Sequence, residues 1–284
     1  MEECVSIING ISLWYVKQGQ GTPVVLLHGG PGAYDYLAPV AGLLSDRYLV
    51  IRYDQRGSWR SEKKGPYDIA TFIEDLEQLR IHLGLERWIV GGHSWGASLA
   101  LAYAVQHPAR VMALIYISGT GIDPGWHADY RVNRLNRMSS DDREEYAKLR
   151  SVMDTLSGEK KSCAIARVRE LSLRADLVCQ DQYEAMPQIN GHYINNEVNR
   201  TVGSECDQYF ENVAFKQDVS RVTAPALFLH GEMDPRPYNY SLALSRLLPS
   251  AHFCIIQKAG HYPWLDNPSM LGAEMNAFLQ RLFP

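Results

Sequence analysis

The sequence contains no Cys-x-x-Cys pair, no His-Glu-x-x-His, no apolar run near the roughly 18 residues of a membrane span, and no block of basic residues. Each absence removes a class of protein. The five cysteines (Cys4, Cys163, Cys179, Cys206 and Cys254) are odd in number and widely spaced. Neither a disulfide framework nor a zinc site is expected from them, and the thiols read as buried or idle. Without a close histidine pair, metal-assisted hydrolysis is set aside, and no metal or cofactor is expected. The 28 Lys and Arg are spread along a chain of formal charge −4, which offers no footprint for nucleic acid. The opening "MEECVSIING" is acidic where a signal peptide is basic, so a cytoplasmic protein with no membrane partner is expected.

What is present is an alternation of strands and helices, in 284 residues of which 46% are hydrophobic. "CVSIINGISLWYV" carries two apolar runs around Asn9-Gly10, the pair that supplies the positive φ angles of a tight hairpin. "PVVLLHG" (23–29) and "YLVIRYD" (48–54) are continuous apolar runs of strand length, as buried parallel strands are. In "TFIEDLEQLRIHLGL", Phe72, Ile73, Leu76, Leu79 and Leu83 share one helical face, Thr71 and Glu74 have capping-box spacing, and Gly84 suits the C-terminal end. "RWIVGG", a helix over 94–106 and "MALIYIS" (112–118) complete a βαβαβ unit, hence an open parallel sheet covered on both faces. Residues 122–218 are polar with helical periodicity; strands return with "PALFLHG" and "HFCIIQK". One α/β core over 1–121 and 219–284 is expected, with 122–218 inserted as a helical cap.

Gly92, His93, Ser94, Trp95 and Gly96 form G-x-S-x-G between an apolar strand and a helix rich in small residues. In that setting the pattern makes a nucleophile elbow, with Ser94 at the top of the sheet. A serine hydroxyl is a weak nucleophile near neutral pH and needs a histidine base held by a carboxylate. Asp234, just past one late strand, and His261, just past the next, supply the order Ser, Asp, His at the carboxyl edge of the sheet. His252 begins a strand rather than following one, and is the rival base. Asp123 is the rival acid. The backbone N–H of Trp95 and that of Gly30, in the glycine-rich "HGGPG" loop (His28 to Gly32), are the expected oxyanion donors. His28 and His93 read as loop residues beside the site.

"HGGPG", "DQRGSWRS" (54–61), "DLEQLRIHLG" (75–84) and "GGHSWGASLALAYA" (91–104) together resemble the proline iminopeptidase branch of the α/β-hydrolases, the S33 serine peptidases. The resemblance implies the α/β-hydrolase fold. It also implies cap glutamates that bind the free α-amine of an N-terminal residue, a role that falls on Glu205 and, second, on Glu197. Two departures stand out: His93 replaces the family's second glycine, and Trp59 replaces the glycine of "DQRG-x-G". Both are expected to add bulk near the elbow and to alter the substrate pocket. Trp126, Tyr130, Tyr183, Tyr193, Tyr209 and Phe210 are candidates to line an apolar pocket, and Arg131, Arg134 and Arg137 read as the solvated stripe of a cap helix. Three functions remain open. They are an aminopeptidase acting on short peptides, an esterase or amidase acting on a small non-peptide molecule, and a ligand-binding protein on a hydrolase scaffold. The expected partner is thus a small molecule or short peptide, and no oligomeric state is implied.

Overall fold

Asn9 and Gly10, at φ 46° and 75°, close the hairpin between β1 (Glu2–Ile8) and β2 (Ile11–Gln18), with Ile8 opposite Ile11. The computed structural model describes residues 1–184 and 194–284. The strands that follow are β3 (Thr22–Leu27), β4 (Tyr48–Tyr53), β5 (Trp88–His93), β6 (Val111–Ile117), β7 (Ala226–Gly231) and β8 (Ala251–Ile256). They form one sheet in the order β1-β2-β4-β3-β5-β6-β7-β8, antiparallel through β2 and parallel from β4 to β8. β3 and β5 are central, so the turns leaving them meet at one edge. β3 and β5 are buried on both faces, which is why their sequences run apolar without alternation.

Helices cover both faces. On one side lie α2 (Ile69–His82) and α3 (Trp95–Gln106); on the other lie the short α1 (Ala38–Gly42) and, at the C-terminal end, α11 (Pro268–Leu282). The expected apolar face of α2 is present: Phe72, Ile73, Leu76 and Leu79 are buried, and Leu83 ends the helix half-buried before Gly84 at φ 66°. Its cap differs from the expectation. Asp68, not Thr71, is the N-cap, and its carboxylate accepts the Thr71 N–H at 2.7 Å. An aspartate three residues earlier caps the Thr71 N–H in place of the Glu74 N–H and starts the helix sooner.

Between β6 and β7 the chain forms α4 (Trp126–Arg137), α5 (Ser140–Val152), α6 (Gly158–Asp176), α7 (Asn196–Glu211) and α8 (Val213–Val219). The remaining helices are α9 (Tyr238–Ser245) and α10 (Pro263–Asp266). Among the described residues no helix is long and apolar enough to cross a membrane.

Candidate active site

Ser94 stands between β5 and α3 with φ 57° and ψ −122°, a conformation that costs a non-glycine residue energy and that native structures keep at functional sites. Its neighbours show why the turn can be so sharp. A Cβ at Gly92 would lie 2.0 Å from the Gly96 carbonyl oxygen, and one at Gly96 would lie 2.1 Å from that of Leu27. Only hydrogen fits at either place.

Asp234 follows β7 and His261 follows β8, and the two meet: His261 Nδ1 donates to Asp234 Oδ2 at 2.7 Å, both side chains fully buried. That bond leaves Nε2 of His261 unprotonated, the atom that a neighbouring hydroxyl would need. Asp234 is held by more than this. Its Oδ1 accepts the Arg236 N–H at 2.8 Å, and His230 Nε2 lies 3.3 Å from Oδ2. The rivals fall away: Asp123 accepts the Gly125 N–H at 2.9 Å, and His252 is exposed on β8.

The glycine-rich loop expected to carry an oxyanion donor packs directly on the elbow. A Cβ on Gly29 would lie 3.0 Å from the Ser94 Cβ, and Gly30 takes φ +134°, a backbone that a side chain would strain. Trp95 is the first residue of α3, so its N–H has no intrahelical acceptor. Gly30, Ser94 and Trp95 together line a cavity of about 760 Å³ roofed by the β6–β7 insertion.

A family model described as alpha/beta hydrolase fold matches residues 22–268. The chain belongs to the α/β-hydrolase fold family. Among curated relatives, the hydrolase is 28% identical over 276 residues to a proline iminopeptidase of Heyndrickxia coagulans, covering 94% of this chain and 93% of that protein. Among solved structures, a proline iminopeptidase from Mycobacterium smegmatis matches 99% of this chain and 98% of its own, with TM-score 0.71 at 21% identity. A thermophilic esterase from Thermogutta terrifontis matches 100% of both chains, with TM-score 0.72, also at 21%. At that identity the structural likenesses speak for the fold alone.

In this hydrolase His93 is not an obstruction over the serine. It is fully buried behind Ser94, with Nε2 donating to the His261 carbonyl oxygen at 2.8 Å. A neutral imidazole donating from Nε2 must accept at Nδ1, so the Tyr36 hydroxyl donates to it at 2.6 Å, while that hydroxyl accepts the Gly29 N–H at 2.8 Å. Gly29 in the glycine-rich loop is thereby chained through Tyr36 and His93 to the main chain of His261. Burial, and then the nearby His261, hold the His93 imidazolium well below its ordinary range, which keeps this tautomer uncharged. Trp59, the other departure, lies outside the cavity, with Arg60 stacked at 4.4 Å from its ring centroid. Neither bulky residue narrows the site.

Gln55 ties the quoted motifs together. Its Nε2 donates to the His28 carbonyl at 2.7 Å and its Oε1 accepts the Trp95 indole N–H at 2.9 Å. His28 accepts the Gln55 N–H at Nε2 and donates from Nδ1 to the Gly29 carbonyl, a neutral arrangement in keeping with burial, which lowers its pKa to about 4. Arg56 completes the clasp through a buried pair with Asp75 at 2.5 Å. Of these roles, only the membership of Gln55 and Arg56 in a shared motif was visible in sequence; Tyr36, His230 and Asp176 carried no signal.

Two of the places where the insertion grips the core lie beside the site. Asn199 Nδ2 donates to the carbonyls of Gly30 and Pro31 at 3.2 and 3.0 Å, and the Asn195 N–H donates to Gly32 at 2.8 Å. At the end of α6, buried Asp176 pairs with the largely covered Arg236 at 3.0 Å, and its carbonyl accepts the His261 N–H at 2.8 Å.

The two glutamates assigned to amine binding require correction. Glu205 turns its carboxylate to the Ile69 N–H at 2.9 Å, at the N-terminus of α2, and Glu197 is exposed in the first turn of α7; neither lines the cavity. Asp207 and Glu211 on α7 do line it, as does Asp123. Of the aromatic candidates, Trp126, Tyr130 and Phe210 line the cavity, joined by Tyr146. Tyr209 instead accepts from Gln106 at 3.0 Å, Tyr183 packs against the core, and Tyr193 lies outside the described residues.

Proposed function

We propose that this hydrolase cleaves its substrate through an acyl-enzyme on Ser94, and that it releases N-terminal residues from short peptides. The observation that carries the reading is the 2.7 Å His261–Asp234 bond at the sheet edge behind a strained serine that faces the cavity. Ser94 Oγ attacks the carbonyl carbon while His261 Nε2 takes its proton. The negative oxygen that forms is met by the N–H groups of Gly30 and Trp95, each such donor stabilising the transition state by about 3 kcal/mol. His261 then gives its proton to the leaving amine, and water repeats the attack on the acyl-serine to regenerate the enzyme.

With Glu205 engaged at α2, the α-ammonium of the substrate falls to Asp207 and Glu211, which are four residues apart and hence share one face of α7. A fluorophosphonate probe is expected to label Ser94. Aminoacyl p-nitroanilides with a free amine are expected to be cleaved at least about 10-fold better than their N-acetyl forms, and the Glu211→Gln variant to lose part of that preference through KM. Equal cleavage of free and blocked forms would instead favour an esterase or amidase. That second reading draws support from the absence of Glu205 and Glu197 from the cavity.

The charge state of the base sets a pH dependence. Burial first, and Arg236 second, lower the His261 pKa against the pull of Asp234. A base with a lowered pKa stays neutral to lower pH, so the acid limb of kcat/KM is expected below the ordinary histidine value of about 6.5. A limb lying above that value would show that another group titrates.

A further inference from the structure

Three arginines reach the cavity from the insertion: Arg134 on α4, Arg150 on α5 and Arg169 on α6. The expectation that the α4 arginines form a solvated stripe holds only for exposed Arg131. Arg137 turns back to donate to the carbonyls of Ala175 and Leu177 at 2.6 and 2.5 Å. Arg134 turns inward, donating to the hydroxyls of Tyr130 at 3.2 Å and Tyr146 at 2.6 Å, with its guanidinium 4.8 and 5.2 Å from their ring centroids.

Those contacts orient the Arg134 charge without neutralising it. Phenol oxygens accept two N–H groups of a guanidinium that has five, and the Arg134 Nε is buried with no partner among the described residues. Arg169 is half-buried and makes no hydrogen bond or ion pair among the described residues, and its burial lowers its pKa. Neighbouring arginines are treated otherwise: Arg167 is matched by Glu145 and Glu170, Arg174 by Glu170 and Glu184, and Arg236 by Asp176. Unmatched, desolvated cations are costly in a folded chain, and a planar guanidinium fits a carboxylate bidentately. The counter-charge that suits this wall is one that a ligand brings.

We propose that the α4–α6 wall receives a free carboxylate of the substrate, remote from the carbonyl that Ser94 attacks. This inference rests on the acyl-enzyme reading above and narrows its substrate class to acids. The carboxylate has two chemical sources, the C-terminus of a short peptide or an acid group on a non-peptide acyl chain. In the peptide case, the α7 carboxylates and the α4–α6 guanidiniums would together select for a chain with both termini free.

The test compares kcat/KM within two pairs: Pro-Gly-Gly against its C-terminal amide, and p-nitrophenyl hydrogen glutarate against p-nitrophenyl butyrate. In at least one pair the free acid is expected to exceed the neutral member by about 10-fold or more. Preference in the first pair identifies a peptide C-terminus, and preference in the second a non-peptide acid. The preference is expected to shrink toward unity in Arg134→Gln and Arg169→Gln. Arg169→Gln breaks no bond among the described residues, so the second variant keeps the test usable where the first fails to fold. Equal or better use of the neutral member in both pairs overturns the proposal, as does a preference unchanged in both variants. Calorimetry on Ser94→Ala separates the two readings. Tighter binding of Gly-Gly-Gly than of its amide, lost in the Arg169→Gln background, upholds the carboxylate site even if the acyl-enzyme reading fails. Equal binding of the two, together with equal binding of glutaramic acid and glutaramide, overturns the site.

Discussion

Replacing Ser94 by alanine is expected to lower kcat/KM at least about 10⁴-fold toward any ester or amide that the enzyme turns over. Two other serines line the cavity among the described residues: Ser98, one turn further along α3, whose hydroxyl is engaged with the Tyr116 phenol, and Ser172 on α6, whose hydroxyl donates to the Val168 carbonyl at 2.8 Å. Asp234→Asn is expected to cost a similar factor for a different reason. An amide in place of the carboxylate offers an N–H to Nδ1 of His261, which draws the ring proton to Nε2 and removes the base; such a tautomer error is worth about 10⁴-fold in kcat. The ionised carboxylate is secure in the native protein. Burial opposes its charge, but His261 and His230 outweigh that and hold it well below the usual range. Steady-state rates with an activated ester decide the matter. Wild-type turnover by Ser94→Ala would remove the nucleophile assignment, and wild-type turnover by Asp234→Asn would remove the acid.

The second large effect concerns stability. Asp176→Ala is expected to destabilise the fold by about 3–5 kcal/mol, because it strands the Arg236 guanidinium, whose side chain is only 14% exposed. The value should fall toward the lower end, since Asp234 lies 3.5 Å from Arg236 and Tyr130 stacks on it at 4.1 Å. Urea titration would report it as a lower midpoint at unchanged slope. A loss below about 1 kcal/mol, the range of exposed pairs, would mean that the pair is solvated in solution. Adding Arg236→Met to Asp176→Ala is expected to recover stability by removing the stranded charge. The same double variant should move the acid limb of the pH profile upward, because Arg236 depresses the His261 pKa by more than Asp176 raises it.

Much of the scaffold was legible because burial on both faces leaves a simple trace. β3, β4 and β5 read as apolar runs, Asn9-Gly10 as a hairpin, and G-x-S-x-G with a late Asp and His as a site. The insertion was harder for physical reasons. Glu205 and Asp207 are two apart on α7, hence roughly 200° around the helix, so a shift of two in matching the cap exchanges the cavity face for the face toward α2. Arg134 and Arg137 were equally opaque. A three-residue spacing says that charges lie on one side of a helix, but only the tertiary packing says whether that side meets water, carbonyl groups or a cavity. His93 and Trp59 misled because bulk in a motif was taken as bulk in the pocket. His93 ends a strand, where successive side chains alternate in direction, and it points away from Ser94 into the protein.

The Gln55 side chain joins two loops that neither bind nor react with anything through it. By holding His28 with one end of its amide and Trp95 with the other, it ties the glycine-rich loop to the start of α3 from below the cavity floor. The loop that carries Gly30 is thus fixed from two sides, by Gln55 from below and by Asn199 and the Asn195 N–H from above. A different roof could make fresh choices of acid, arginine or aromatic residue, but it would have to keep donors where Asn195 and Asn199 stand, or the carbonyls of Gly30, Pro31 and Gly32 would lose their partners.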